Sequence, residues 1–264
     1  MARLERSLGV KLFHRTTRQV RLTPDGERLF QRCQRVLLEL AELQAEASGA
    51  SAEPSGVLRV DMPVYYGRQF VMPILAGLQA RHPKLVLDLR LSDGFTDLVR
   101  DRIDLAVRIA RLSDSTLVAR RVGWQHLVLC ASTDYLARHA AARRLEDLAA
   151  HDAIVFRLPN TGRDRPWQFR QRGRDVDMQP RPRARISETH GLLEALLLGT
   201  GICQVPDYLV AGPIAKGQLV ELLPSFKPPP LPIQVVHPAG RLLPARVRAA
   251  IEALDELRVG RALT

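Results

Sequence analysis

Val57-Leu-Arg-Val-Asp-Met62, Leu85-Val-Leu-Asp-Leu-Arg-Leu91 and Asp104-Leu-Ala-Val-Arg-Ile109 decide the fold class. Each is a short run of Val, Leu and Ile broken by single charges, which reads as a strand. Between the first two, the spacing predicts a helix from about Arg68 to Arg81. Between the second and third it predicts a helix over Phe95 to Ile103. Strand and helix in alternation give βαβ units and a mostly parallel sheet, so the chain is an α/β protein.

Toward the C-terminus the alternation continues. Strands are expected at Leu117 to Val122 and Leu127 to Ala131. A second α/β unit begins beyond Ser132, with strands at Ala153 to Arg157, within Trp167 to Ile186, at Ile202 to Val205 and at Leu219 to Leu222. Helices over Thr189 to Leu198 and Tyr208 to Ala215 accompany them. Lys227-Pro-Pro-Pro-Leu-Pro232 is a stiff connector, after which Ile233 to His237 returns as a strand and Pro244 opens a last helix to about Leu257. A late strand and helix following a central unit imply two lobes joined by crossing strands, with a cleft between. Lobe I is expected at about 57–131 plus 237–264, and lobe II at about 132–236.

Toward the N-terminus the pattern changes. Ala2 to Leu8 ends a helix at Gly9, and Lys11 to Thr23 reads as two short strands around a polar turn. Thr23-Pro24-Asp25 starts a helix, with Thr as N-cap and Pro at the first position, although Gly26 stands where a capping box would place Glu. Along that helix Leu29, Cys33, Val36, Leu40, Leu43 and Ala47 recur at heptad spacing. From Pro24 to Ser48 it would run roughly 37 Å. The seam suits pairing with a second copy; the alternative is an amphipathic helix lying on its own domain. Gly49 to Gly56 is a hinge by composition.

The 264 residues carry 46% hydrophobic and 25% charged side chains, enough for a sizeable core. The net charge of +11 invites a polyanion. Lysines stand only at positions 11, 84, 216 and 227, so the excess is arginine spread along the whole chain, and charge alone names no partner. Cys33, Cys130 and Cys203 are too scattered for a disulfide frame or a zinc site. No apolar run is long enough to span a bilayer and no secretory leader is visible, which points to the cytoplasm. Motifs for a nucleophilic serine, a P-loop, a dinucleotide fold or a metal site are absent, so neither catalysis nor a cofactor is expected.

The stretch Leu8-Gly-Val-Lys-Leu-Phe-His-Arg-Thr-Thr-Arg-Gln-Val-Arg-Leu-Thr-Pro-Asp-Gly26 resembles the wing and linker-helix start of LysR-type transcriptional regulators. The resemblance extends through Asp93 to Arg111, above all Asp104-Leu-Ala-Val-Arg-Ile109, and through Leu117-Val-Ala-Arg-Arg-Val122, Leu129-Cys-Ala-Ser132 and Gly199-Thr-Gly-Ile202 with Pro206. It implies a winged helix-turn-helix, a dimerising linker helix and a two-lobed periplasmic-binding-protein-like sensor domain. The segments would be a winged-helix remnant at 1–23, linker helix and hinge at 24–56, and an effector-binding domain at 57–264. Family members have two helices and a recognition helix ahead of this motif, and Ala2 to Leu8 corresponds only to the end of the third. Specific DNA binding is therefore expected only together with those helices. The implied partners are DNA, a small-molecule effector, RNA polymerase and further copies in a homodimer or homotetramer. A stand-alone small-molecule-binding module of the same fold is the alternative.

At the wing tip, Arg15, Thr16, Thr17 and Arg18 supply cations and hydroxyls suited to phosphate. The residues alone leave an ordinary solvated hairpin equally open; the resemblance favours DNA contact. In the cleft, Pro63-Val64-Tyr65-Tyr66-Gly67 joins a strand to a helix start whose N–H groups suit an anion, with core packing the stronger reading for Tyr66. Arg108 near a strand end needs either the cleft or a salt-bridge partner. Thr189 and His190 stand at a helix start where N-capping alone would explain Ser187 or Thr189, and the resemblance places ligand contacts there too. Ser132, Val205 and Pro206 complete the expected effector site. Cys130 and Cys203 read as inert core, and Trp124 and Trp167 carry no motif.

Overall fold

The computed structural model describes residues 2–15, 20–30, 32, 33, 36, 53–94, 96–111, 117–239 and 243–259. Helix α1 (Ala2–Leu8) ends at Gly9, whose φ of +68° supplies the left-handed turn. Strands β1 (Phe13–Arg15) and β2 (Val20–Leu22) pair antiparallel as the wing. Glu5 fastens the base, its Oε1 accepting from the Leu12 and Phe13 N–H groups at 2.8 and 3.2 Å. Helix α2 begins at residue 24 and is continuous to residue 30. Thr23 caps it, accepting from the Gly26 N–H at 2.9 Å while donating to the Lys11 carbonyl at 2.6 Å. The capping box is missing for a steric reason: a Cβ on Gly26 would stand 2.0 Å from the Leu12 carbonyl oxygen. Of the heptad seam, Leu29 is half-buried, Cys33 is exposed and Val36 is 62% exposed, while Leu40 and Leu43 lie outside the described residues.

Lobe I is a five-stranded sheet in the order β4-β3-β5-β14-β6. Strands β3 (Gly56–Met62), β4 (Leu85–Leu91) and β5 (Leu105–Ile109) are parallel; β14 (Leu231–Pro238) runs antiparallel between β5 and β6 (Leu117–Gln125). Leu58, Val60, Met62, Leu105, Val107 and Val235 face Leu75 of the covering helix and Ile251 and Leu254 near the C-terminus in one fully buried cluster. That covering helix begins at Val64, four residues before the expected start. It runs as α3 (Val64–Tyr66), one π turn (Gly67–Val71) and α4 (Met72–Arg81). No helix forms across 98–103. Asp97 Oδ1 accepts from the Val99 and Arg100 N–H groups, Arg102 turns left-handed at φ +56°, and the chain closes a single turn onto Leu98 before β5.

Lobe II is a second five-stranded sheet, β11-β8-β12-β7-β13. It contains β7 (Leu127–Ser132), β8 (Ala153–Phe156), β11 (Pro182–Ile186), β12 (Ile202–Pro206) and β13 (Leu219–Leu222). Helices α6 (Thr189–Leu197) and α7 (Asp207–Ala215) cover one face. The short α5 (Thr133–Leu136) and the hairpin of β9 (Trp167–Gln171) and β10 (Arg174–Met178) cover the other. Both lobe crossings fall earlier than the sequence implied: β7 belongs to lobe II and β14 to lobe I. The chain changes lobes at His126 and again between β13 and β14, and not at 131/132 and 236/237. The hinge at His126 is pinned by two hydrogen bonds with Asp207, at 2.9 and 3.3 Å.

Cys130 and Cys203 face each other across β7 and β12, fully buried. Burial pushes the Cys130 thiol up to about 12 and the Cys203 thiol higher still, so both stay protonated and inert. After β14 the chain ends in α8 (Ala245–Ala253) and α9 (Glu256–Val259). Among the described residues no helix is long and apolar enough to cross a membrane.

Candidate functional site: the cleft between the lobes

In lobe II the parallel strands β8, β11 and β12 run toward the same end of the sheet, and β3 of lobe I ends close by at Pro63. Side chains from all these ends converge there, as open α/β sheets arrange their ligand sites. Tyr65 of lobe I lies between two rings of lobe II: His190 at 6.1 Å and 20°, and Tyr208 at 6.0 Å and 17°. Tyr208 also donates to Gln125 Oε1 at 3.0 Å, beside the hinge.

Asp93, just after β4, is the polar joint between the lobes. Its Oδ1 accepts from the Val64 N–H at 3.0 Å, at the start of α3, and its Oδ2 accepts from the Thr189 hydroxyl at 3.0 Å. The Val64 N–H at the start of α3, where an anion was expected, therefore already holds the protein's own carboxylate. Thr189 can reach across because capping duty falls elsewhere: the Glu188 carboxylate accepts from the His190 and Gly191 N–H groups at 2.9 and 2.8 Å.

The expected site residues divide. Val64, Tyr65, Thr189 and His190 meet at the cleft, with Pro63 and Pro206 as the strand ends that open α3 and α7. Tyr66 is buried in the lobe I core, packed on Phe70 and edge-on to Tyr208. Gly67 leaves room for Met62, whose Cγ would lie 2.3 Å from a Cβ there, so its role is packing. Val205 is fully buried under α6 and α7. Ser132 stands at the opposite end of β7, about 17 Å along the strand from Leu127. There it caps α5 by accepting from the Tyr135 N–H at 3.2 Å. Arg108 forms a buried pair with Asp61, so the salt-bridge alternative is the observed one. In the wing, Arg15 ends β1, while Thr16, Thr17 and Arg18 lie outside the described residues.

Sequence reasoning missed Asp93 and Tyr208 as residues that join the lobes. Asp93 sits in Ser92-Asp93-Gly94, a turn signal directly after a strand, and Tyr208 follows a Pro at a helix start; both positions were readable as cleft-facing. Arg165 precedes β9 and lines a small pocket with Leu127, Phe156, Pro166, Trp167 and Gln204. Burial pushes its guanidinium below the ordinary value, with Tyr208 and Cys203 acting in the opposite sense. A wider open groove of about 320 Å3 lies on the outer edge of lobe I along β6. Its cations are already engaged: Arg121 stacks 4.5 Å over Trp124, and Arg258 donates twice to the Arg121 carbonyl at 3.0 and 2.8 Å.

Residues 51–258 match the LysR substrate binding domain family, and residues 1–27 match the bacterial regulatory helix-turn-helix proteins of the lysR family. The chain belongs to the LysR family. Among LysR-family relatives it is 37% identical over 259 residues to the HTH-type transcriptional regulator PtxR of Pseudomonas aeruginosa, covering 97% of this chain and 81% of PtxR. It is 34% identical over 262 residues to DmlR of Escherichia coli, covering 97% and 83%. Of solved structures, the LysR-type regulator CrgA of Neisseria meningitidis superposes with a TM-score of 0.70 at 32% identity, covering 97% of this chain and 87% of CrgA. The Vibrio cholerae virulence activator AphB gives 0.68 at 27% identity, covering 96% and 86%. The two-lobed α/β architecture is thus the regulatory architecture of LysR proteins.

Proposed function

We propose that this LysR-family transcriptional regulator senses a small molecule in the cleft between its lobes and transmits the lobe geometry to a DNA-bound oligomer. The observation that carries the reading is the interlobe joint. A ligand entering between Tyr65 and its two ring partners, or displacing Asp93 from Val64 and Thr189, changes contacts made only when the lobes are together. That is the differential interaction a ligand needs in order to shift a two-state equilibrium. The reading is tested by a thermal-shift screen of metabolites against the full chain. Compounds that stabilise it are expected to lose most of that effect in Thr189→Ala, while the variant itself loses only about 1 kcal/mol for one hydrogen bond. Undiminished stabilisation in both Thr189→Ala and Tyr65→Ala would place binding elsewhere.

The wing residues Arg15 to Arg18 are the phosphate-contacting end of the same device, and the seam of Leu29, Cys33, Val36, Leu40 and Leu43 joins two copies. Homodimers or homotetramers on DNA then present the surface that meets RNA polymerase, in the cytoplasm. Val36 exposes apolar surface that a second seam would cover. For the wing, the expected signature is a salt effect. Each phosphate contact contributes about 0.9 to the slope of log K against log salt. Arg15→Gln with Arg18→Gln is therefore expected to flatten the slope by roughly 1.8 on DNA of any sequence. An unchanged slope would make the wing tip an ordinary hairpin.

A further inference from the structure

We infer that the hydrogen bond between Tyr135 and His151 is an acid-sensitive latch in lobe II. It is closed while His151 is neutral and opens when that ring takes a proton. Tyr135 of α5 is 1% exposed, and its hydroxyl accepts from the Asp152 N–H at 3.0 Å. An amide N–H can only donate, so the hydroxyl still has its own proton to place. Among the described residues, the acceptor within reach of that proton is His151 Nδ1, at 3.2 Å. His151 therefore carries its proton on Nε2 and is neutral in this arrangement. A second imidazole, His139, stacks on the Tyr135 ring at 4.1 Å and 12°, with its centre 6.5 Å from that of His151. Its Nδ1 lies 3.1 Å from the Tyr135 carbonyl, which can only accept, so His139 holds a proton there in either charge state. His139 can charge without losing a bond. His151 cannot.

A proton on Nδ1 turns the acceptor into a donor and strands the buried hydroxyl proton. The charges around His151 do not compensate. From α5 and its end it meets Tyr135 and the like charge of His139; from the 3-10 stretch Leu145–Ala150 it meets Asp147, and at the start of β8 Asp152. Asp147 is already taken by the Arg143 and Arg144 N–H groups, both at 2.9 Å, and Asp152 faces Arg183 Nη1 at 3.4 Å. Arg138 is held by the Asp134 and Gly199 carbonyls, each at 3.2 Å. Burial, reinforced by His139, holds the His151 ring below the ordinary histidine value against the pull of Asp147 and Asp152. The latch closes a junction of three segments. Beside its N–H, Asp152 offers the carbonyl that accepts from the Ile202 N–H at 2.9 Å. Gly201 packs so near that a Cβ there would stand 2.3 Å from the same carbonyl oxygen. Here α5, β8 and β12 meet, and β12 runs on from this junction to Pro206 at the cleft.

The unfolded chain takes the His151 proton first as pH falls below about 6.5. The stability that the latch adds is therefore complete above that value and is lost as pH falls toward the lower value of the folded ring. The test follows thermal melting of the full chain at about pH 7.5 and about pH 5.5, either side of the ordinary histidine value. His151→Asn keeps an acceptor and cannot take a proton. On acidification its melting temperature is expected to fall less than the parent's by roughly 2–4 °C, the shift for about one hydrogen bond in a chain of this size. Tyr135→Phe keeps the buried ring without the hydroxyl; it is expected to melt below the parent at the higher pH and to lose less on acidification. His139→Phe keeps the stacked ring without the charge. In that variant the His151 ring, followed by proton NMR and assigned by its absence from His151→Asn, is expected to titrate nearer the ordinary value than in the parent. Equal acid loss in the parent, His151→Asn and Tyr135→Phe would place the sensitivity elsewhere and overturn the latch. So would a parent His151 ring that titrates at or above about 6.5. If His151→Asn does not fold at the higher pH, Tyr135→Phe decides.

Discussion

Asp61→Ala is expected to destabilise the protein by about 3–5 kcal/mol, a large fraction of the roughly 5–15 kcal/mol that a domain commands. Asp61 lies on β3 with no exposed surface, and its partner Arg108 on β5 is 7% exposed. Asp61 Oδ1 pairs with the Arg108 guanidinium. Its Oδ2 accepts from the Thr96 hydroxyl at 2.9 Å and faces Arg90 Nε at 3.5 Å. Among the described residues, removing the carboxylate leaves Arg108 buried beside the Thr96 carbonyl, a contact of 3.4 Å. The loss comes from a stranded cation more than from a missing bond. Replacing both partners tests that cause: Asp61→Leu with Arg108→Met removes the charge along with its counter-charge and is expected to recover most of the stability. Chemical denaturation of the three variants measures the cycle. A loss under about 1 kcal/mol in Asp61→Ala would mean that water reaches Arg108 and the pair is a surface bridge.

The same pair shows where sequence reading reaches its limit. That Arg108 needed a partner was legible, because a charge within Leu105-Ala-Val-Arg-Ile109 must be neutralised or turned to solvent. Choosing Asp61 required knowing that β3 and β5 are neighbours in the sheet, a fact of topology. The wing, the helix start at Thr23 and the βα alternation were legible because each depends on residues close together in the chain. The lobe boundary was less so. Leu117 to Gln125 and Leu127 to Ser132 are consecutive strands separated by one residue, and hydropathy shows no break as the chain passes from one sheet to the other. The cleft was half legible. Pro63 to Gly67 could be seen as a strand-to-helix turn, but the acceptor that closes it, Asp93, reaches Thr189 across ninety-six positions. Thr189 itself looked like a cap until Glu188, one residue earlier, was seen to take that duty.

Two adjacent tyrosines then separate fold from function. Tyr66→Ala is expected to cost about 3–5 kcal/mol, the range for truncating a buried aromatic side chain. Tyr66 is 1% exposed and packs among Phe70, Tyr208 and the lobe I core, with ring separations of 4.9 Å to Phe70 and 5.3 Å to Tyr208. Nothing small can refill that volume, because the interior around it is close-packed. Tyr65 lies one residue, or about 100°, around the same helix and points into the cleft. Tyr65→Ala forfeits two stacking contacts worth about 0.5–1.5 kcal/mol each, with little core volume lost, so the protein stays folded. The ligand response is expected to run the other way. Tyr66→Phe keeps the core filled and leaves effector stabilisation intact, whereas Tyr65→Ala melts cooperatively near the parent and loses it. Thermal melts of the three variants with and without a stabilising ligand resolve the two roles. If Tyr65→Ala loses cooperative melting, its ring belongs to the core. If Tyr66→Ala melts with the parent, lobe I is held elsewhere and the division of labour between the neighbours is wrong.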